Sequence, residues 1–222
     1  MAWSGFALAF AVFFLSHSLP VRPSLKPVLV KALGPRGFTL AYSALSVGVL
    51  TWLIIAAGRA PFVPLWLWAP WQSHAALVLM LAACMLLAIS IGRPNPFSFG
   101  GGRNHLFDPR CPGVVRLTRH PLLMVLALWS GAHLLANGNL AHAILFGTFG
   151  IFSILGGRLI DRRRKREMGD AWENLLRGVR AMPLGTVSLP AGQTFWRVLL
   201  GAAVYVCLIA LHPIVIGVNP LP

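Results

Sequence analysis

The sequence predicts an all-α integral membrane protein, a six-transmembrane-helix bundle with both termini on the non-cytoplasmic side. Three observations lead there. The 222 residues are 57% hydrophobic and only 11% charged, with mean hydropathy +0.73; soluble domains carry about 25% charged residues. Six apolar stretches, at 2–20, 38–58, 74–92, 121–137, 139–160 and 195–215, can span a bilayer core that takes about 20 helical residues. The loops between them alternate between strongly basic and nearly free of basic residues. Length allows one domain or two, and the even spread of apolar runs from Gly5 to Val218 favours a single membrane domain over 1–222.

The first run has no Lys or Arg before Arg22 and no small-residue cleavage site after it, so it reads as a retained span. A loop with Arg22, Lys26, Lys31 and Arg36 leads to the second span. Arg59 is the lone basic residue of the next loop. There Pro61, Pro64 and Pro70 exclude a regular helix, while Trp66, Trp68 and Trp71 suit an aromatic belt at the outer interface. The third span opens into a loop with Arg93, Arg103, Arg110, Arg116 and Arg119, predicted irregular from Gly100-Gly101-Gly102 and four prolines.

The fourth and fifth spans abut through Ala136-Asn137-Gly138-Asn139, residues that tolerate positive φ, which predicts an antiparallel hairpin with a tight turn. The fifth span is expected to continue as a helix past Asp161 into Arg162-Arg163-Arg164-Lys165-Arg166. Met168, Trp172, Leu175 and Leu176, set among charges, predict an amphipathic segment at the cytoplasmic surface. With the sixth span in place, odd loops are basic and even loops are not, and the positive-inside rule puts the odd loops in the cytoplasm. A five-span or seven-span reading breaks that alternation.

The net charge of +14 rests on only five acids, Asp108, Asp161, Glu167, Asp170 and Glu173. Because the basic residues lie between apolar runs, they point to membrane lipid headgroups and topology, and nucleic acid is excluded as partner. Cys84, Cys111 and Cys207 have no CxxC or Cys/His metal spacing. No disulfide framework is implied.

Chemistry falls to the histidines, since no Asp, Glu or Lys lies in a predicted span and Arg158 and Arg197 sit near span ends. His17, in Phe13-Phe14-Leu15-Ser16-His17, suits either an axial ligand of haem iron or a bond to a neighbouring backbone or hydroxyl group. His133 has Trp129 one turn before it; the two rings could flank a flat macrocycle or simply pack. His120 opens the fourth span ahead of Pro121, thirteen residues from His133. That is about 20 Å along a helix, so one helix cannot offer both to one iron. His74, His142 and His212 read as interfacial, and His105 lies in the irregular loop. No Ser-His-Asp constellation, phosphate-binding glycine loop or paired carboxylate is visible.

Ser16-His17-Ser18 with Arg22, Tyr42-Ser43, Arg119-His120-Pro121, Leu128-Trp129, Ala132-His133-Leu134-Leu135-Ala136-Asn137-Gly138 and Ile160-Asp161-Arg162-Arg163 with Gly169 and Trp172 resemble the NnrU family over nearly the whole chain. The resemblance implies a bacterial inner-membrane protein linked to denitrification, that is, to nitrite and nitric oxide metabolism. The chain is similar, more distantly, to the plant 15-cis-zeta-carotene isomerases, haem b enzymes of plastid membranes. By motif their haem ligands fall on His17 and His133, and their RHP histidine on His120. A further isomerase histidine, implicated in ligand exchange, falls on Phe152, a departure that counts against the isomerases' redox switching and hence carotene isomerisation while leaving haem binding open; any catalysis the resemblance implies is redox-dependent isomerisation of a hydrophobic substrate. No transit peptide is seen, which favours a bacterial membrane.

On the predicted topology His17 lies near the cytoplasmic side and His133 toward the outer side. Either a tilted first span levels them, or His17 pairs with His120. Arg119-His120-Pro121, with Gly169, Trp172 and Met182-Pro183, also resembles integral-membrane methyltransferases of the isoprenylcysteine and phospholipid type. That resemblance implies S-adenosylmethionine held by Arg119, His120, Asp161 and the fifth loop. A third expectation is a non-catalytic membrane partner of a reductase complex. The cofactor set is thus haem b at His17, His133, His120 and Trp129, with His17 and His133 on the metal.

Overall fold

Apolar runs that must satisfy their own backbone polar groups in lipid become helices, and helices are what the chain forms. The computed structural model describes residues 3–184 and 191–222, among which there are seven α-helices and no strand. They are α1 (Trp3–Ser18), α2 (Lys26–Gly58), α3 (Pro70–Ser90), α4 (Pro121–Ala136), α5 (Leu140–Met168), α6 (Asp170–Ala181) and α7 (Ala191–Val215). Ala2, the first residue of the predicted first span, lies outside the described residues. Proline stands at the first helical turn of α2, α3 and α4, where no intrahelical N–H is needed.

Boundaries differ from expectation where local chemistry overrides hydropathy. The second helix starts twelve residues early, at Lys26 instead of 38, and breaks at Gly34 (φ 71°, ψ 163°) before Pro35. Third-helix winding begins at Pro70, because the Gln72 side chain accepts the Ala69 N–H at 2.7 Å and caps the first turn. The fifth helix continues through the basic run to Met168, as predicted.

Two compact units emerge, residues 1–67 with 138–145, and 68–137 with 146–222. In the first, α1 packs along α2. Its proline-rich segment after Arg59 is non-helical and binds the 138–140 segment: Leu65 N–H donates to the Gly138 carbonyl at 2.7 Å, and Leu140 N–H to Val63 at 2.9 Å. The Ala136–Asn139 turn contains no positive φ, contrary to expectation. Gly138 is required by proximity instead, since a Cβ there would collide with the Trp66 carbonyl oxygen.

In the second unit α3 packs against α4 and α7. The expected hairpin forms, with α4 antiparallel to α5: Leu123 lies by Gly156, Ser130 by Gly150 and Trp129 by Phe146. The loop between α3 and α4 is irregular apart from two short 3-10 turns, Asn104–Leu106 and Gly113–Arg116. Helix α6 is amphipathic, but its apolar face does not point to a membrane surface. Trp172, Leu176 and Val179 are buried with Phe97 and Val115 of that loop, because a long loop with its own apolar side chains offers a drier partner than the headgroup zone.

Among the described residues, four helices are long and apolar enough to cross a membrane: α2, α3, α5 and α7 from Gly192. At most 22% of each apolar window is buried inside the protein, so their apolar sides face outward as lipid-facing helices do. The 16-residue α1 and α4 are also apolar but only about 24 Å long, against a core of about 30 Å. Trp68 and Trp71 are exposed beside Leu67, as an interfacial belt requires. All three cysteines are free thiols, Cys84 buried and the others exposed.

Candidate functional site

A polar centre forms where the loop after α3, the start of α4 and the middle of α5 meet. Pro121 fixes the helix start, leaving Arg119 and His120 in the preceding turn. Asp161 follows the apolar stretch of α5. The Arg119 guanidinium grips Asp161 with two bonds, Nε–H to Oδ1 at 3.2 Å and Nη2–H to Oδ2 at 2.6 Å. The fork matches the planar carboxylate. His120 Nε2 lies 3.0 Å from Asp161 Oδ1 and His120 Nδ1 lies 3.0 Å from Ser98 Oγ.

Burial holds the His120 imidazole below its ordinary pKa; the Asp161 carboxylate opposes this and the Arg119 charge adds to it. The ring is therefore neutral at pH 7, with Nε2–H donating to Asp161 and Nδ1 accepting the Ser98 hydroxyl proton. The loop is tied to the same point. Asn95 Nδ2–H donates to the Arg119 carbonyl at 3.0 Å, and the Asn104 side chain accepts the Asn95 N–H at 2.9 Å.

Ser98, His120 and Asp161 thus stand in one hydrogen-bonded row, where the sequence showed no such constellation. It is not a nucleophile triad. Ser98 is 1% exposed, sealed from any substrate, and the carboxylate sits on Nε2. Sequence reasoning missed Ser98, Asn95 and Asn104; the only local signal was the cluster of Asn, Ser and Gly in a proline-punctuated loop.

The helical histidines have settings of their own. His17 Nδ1 donates to the Phe13 carbonyl at 2.8 Å, and its ring stacks on Phe13 with centroids 4.1 Å apart. Tyr42 presents its ring edge at 6.1 Å and donates its hydroxyl to the His17 carbonyl. His133 Nδ1 donates to the Trp129 carbonyl at 2.8 Å. Trp129 and Phe146 form a three-ring cluster with it, each centroid 5.0 Å from His133 and 5.2 Å from the other, and the His212 ring is 6.5 Å away.

Exposed His74 makes the same bond to the carbonyl one turn back, so that bond alone selects nothing. The aromatic walls do distinguish His17 and His133. With Nδ1–H committed to a carbonyl one turn back, each ring is held in orientation by its own helix, as bonds to the second nitrogen orient metal-ligating histidines. The donor chemistry fits a haem ligand. Both ring nitrogens of His120, by contrast, are engaged in the polar centre, so a His17–His120 pairing gains nothing from this geometry.

Trp129 also lines an apolar cavity of about 340 Å3 between α3, α4 and α7, with Met80, Cys84, Leu126 and Leu208. Phe152 is 57% exposed on α5. Among the described residues no three His, Cys, Asp or Glu side chains gather as a metal site; a haem needs at most two protein ligands.

A family model described as NnrU protein matches residues 5–220. No curated protein and no solved structure matches the chain.

Proposed function

The chain belongs to the NnrU family, and on that premise we propose that it is a multi-pass inner-membrane protein that binds haem b through His17 and His133 in nitrite and nitric oxide metabolism. The observation that carries the proposal is the setting of His133. Its Nδ1 is held by the Trp129 carbonyl and its ring packs against Trp129 and Phe146, which also touch each other. His17 repeats the arrangement with Phe13 and Tyr42. Haem, when bound, would supply one-electron redox chemistry; the chain's part is to orient two imidazoles and exclude water around them.

Protein purified in detergent from haem-replete cells is expected to show a haem absorption spectrum near one haem per chain. His17→Ala and His133→Ala should each lose it. Haem-free wild type that binds S-adenosylmethionine would replace this reading with methyl transfer at Arg119, His120 and Asp161, the second reading favoured by the meeting of those three residues. Neither cofactor, with reductase subunits co-purifying, would leave a non-catalytic partner.

We also assign six crossings with both termini non-cytoplasmic, counting α1 and α4 as short spans. Support comes from the alternation of basic loops, which no other count preserves. A periplasm-active reporter fused after Pro222 is expected to be active; activity of a cytoplasm-only reporter there overturns the assignment.

A further inference from the structure

Arg93 lies three residues past the end of α3, its backbone fixed by N–H donation to the Ser90 carbonyl and acceptance from the Gly102 N–H, both at 3.2 Å. Its guanidinium carries a fully buried Nη1 that no group in the protein accepts from, among the described residues. A buried charged donor without an acceptor costs more than an ordinary missing hydrogen bond. Arg197, in the second turn of α7, brings a second cation to the same place. Its Nη1 donates to the Ala88 carbonyl at 2.7 Å and the Ile91 carbonyl at 3.0 Å, at the C-terminal end of α3. Those carbonyls satisfy Arg197 and leave Arg93 unmatched.

The chain's few carboxylates are placed elsewhere. Asp161 holds Arg119 and His120, Glu167 holds Arg163 and Arg164, and Glu173 holds Lys165. Asp108 accepts the Arg110 N–H, and Asp170 sits in the first turn of α6. Burial, and secondarily the Arg197 charge, depress the Arg93 pKa, as two cations without a counter-anion must.

The surroundings say where an anion would come from. Phe195 and Trp196, immediately before Arg197, are 61% and 66% exposed. Only 6% of the apolar window of α7 is buried. Exposed aromatics beside arginine at the end of an apolar helix mark the headgroup level of a bilayer.

We propose that Arg93 and Arg197 form a binding site for a phosphate group, supplied by the headgroup of an anionic phospholipid. The site needs the membrane reading of the chain but not the haem. The shared ligand chemistry is a phosphate oxyanion, and two probes separate lipid from free ion: phosphatidylglycerol and inorganic phosphate.

Full-length protein is delipidated in detergent, titrated with phosphatidylglycerol or phosphatidylcholine, and followed by native mass spectrometry and thermal melting. Wild type is expected to retain one phosphatidylglycerol per chain in preference to phosphatidylcholine and to melt higher with it. Arg93→Gln should weaken that retention by about tenfold, the loss of one charge-assisted contact. Because Arg93 Nη1 has no acceptor within the protein, lipid-free Arg93→Gln should melt no lower than wild type, which separates lost binding from misfolding. Arg93→Lys should recover part of the retention. Equal retention in wild type and Arg93→Gln, or equal retention of phosphatidylcholine, overturns the site. Full displacement by millimolar inorganic phosphate overturns the lipid as its source.

Discussion

Phe97→Ala is expected to loosen α6 from the loop between α3 and α4 and to destabilise that region by about 3–5 kcal/mol, the usual cost of deleting a buried phenylalanine ring. Phe97 is 0% exposed. Its ring meets Phe107 edge-on at 5.8 Å and Trp172 edge-on at 6.1 Å, so the deletion empties the middle of the cluster. Val115, Leu176 and Val179 are too short to fill the space. Phe97→Leu keeps most of the volume and should cost about 1–2 kcal/mol. The measurement is limited trypsin digestion of detergent-purified protein, since α6 contains Arg177 and Arg180, both shielded only while the helix is wound. Faster cleavage in Phe97→Ala, with Phe97→Leu between it and wild type, is the expected order. Cleavage at the wild-type rate would mean that α6 is held by something other than this cluster.

That cluster also shows what could be read without coordinates. The amphipathic pattern of 170–181 was plain from Trp172, Leu175 and Leu176 among charges, but a pattern names an apolar face and not its partner. Here the partner is Phe97, far away in sequence, and a membrane surface was the nearest local guess. The long apolar helices were legible for the opposite reason: lipid imposes one solution on any such run. Residues 26–37 read as loop because Lys26, Lys31 and Arg36 interrupt the apolar run, whereas the helix winds through these charges, opened by proline at its first turn.

The polar centre divides the same way. Arg119-His120-Pro121 was visible because proline at a first helical turn marks a helix start, and Asp161 through the Ile160-Asp161-Arg162-Arg163 motif that carries the resemblance. Ser98 and Asn95 were not. Their bonds cross 22 and 24 residues and leave no period in the sequence. The aromatic settings of His17 and His133 were half legible. Phe13 and Trp129 lie one turn back on the same helix, but Tyr42 and Phe146 come from other helices.

Asp161→Ala should be the most damaging change in the polar centre. It removes one carboxylate and leaves two donors of Arg119 and one of His120 without acceptors. Deleting one partner of a fully buried ion pair costs about 3–5 kcal/mol, and an exposed pair is worth about 0–1 kcal/mol. The side chains here are 22% exposed for Asp161, 32% for Arg119 and 12% for His120, which places the cost between those limits, at about 2–3 kcal/mol. Asp161→Asn keeps one acceptor oxygen but loses the charge, so it should fall between wild type and alanine in a detergent melt. The stronger test is non-additivity. Arg119→Ala and Asp161→Ala each leave the other residue without its fork partner, whereas the double variant strands only His120, so its loss should be smaller than the two single losses together. Additive losses would show that the carboxylate is held by solvent rather than by Arg119. The centre matters beyond its own stability, because it sets the turn into α4. That helix carries Trp129 and His133 toward its far end, so, on the proposed haem reading, Asp161→Ala should also lower haem retention without touching either proposed ligand, and Asp161→Asn should lower it less.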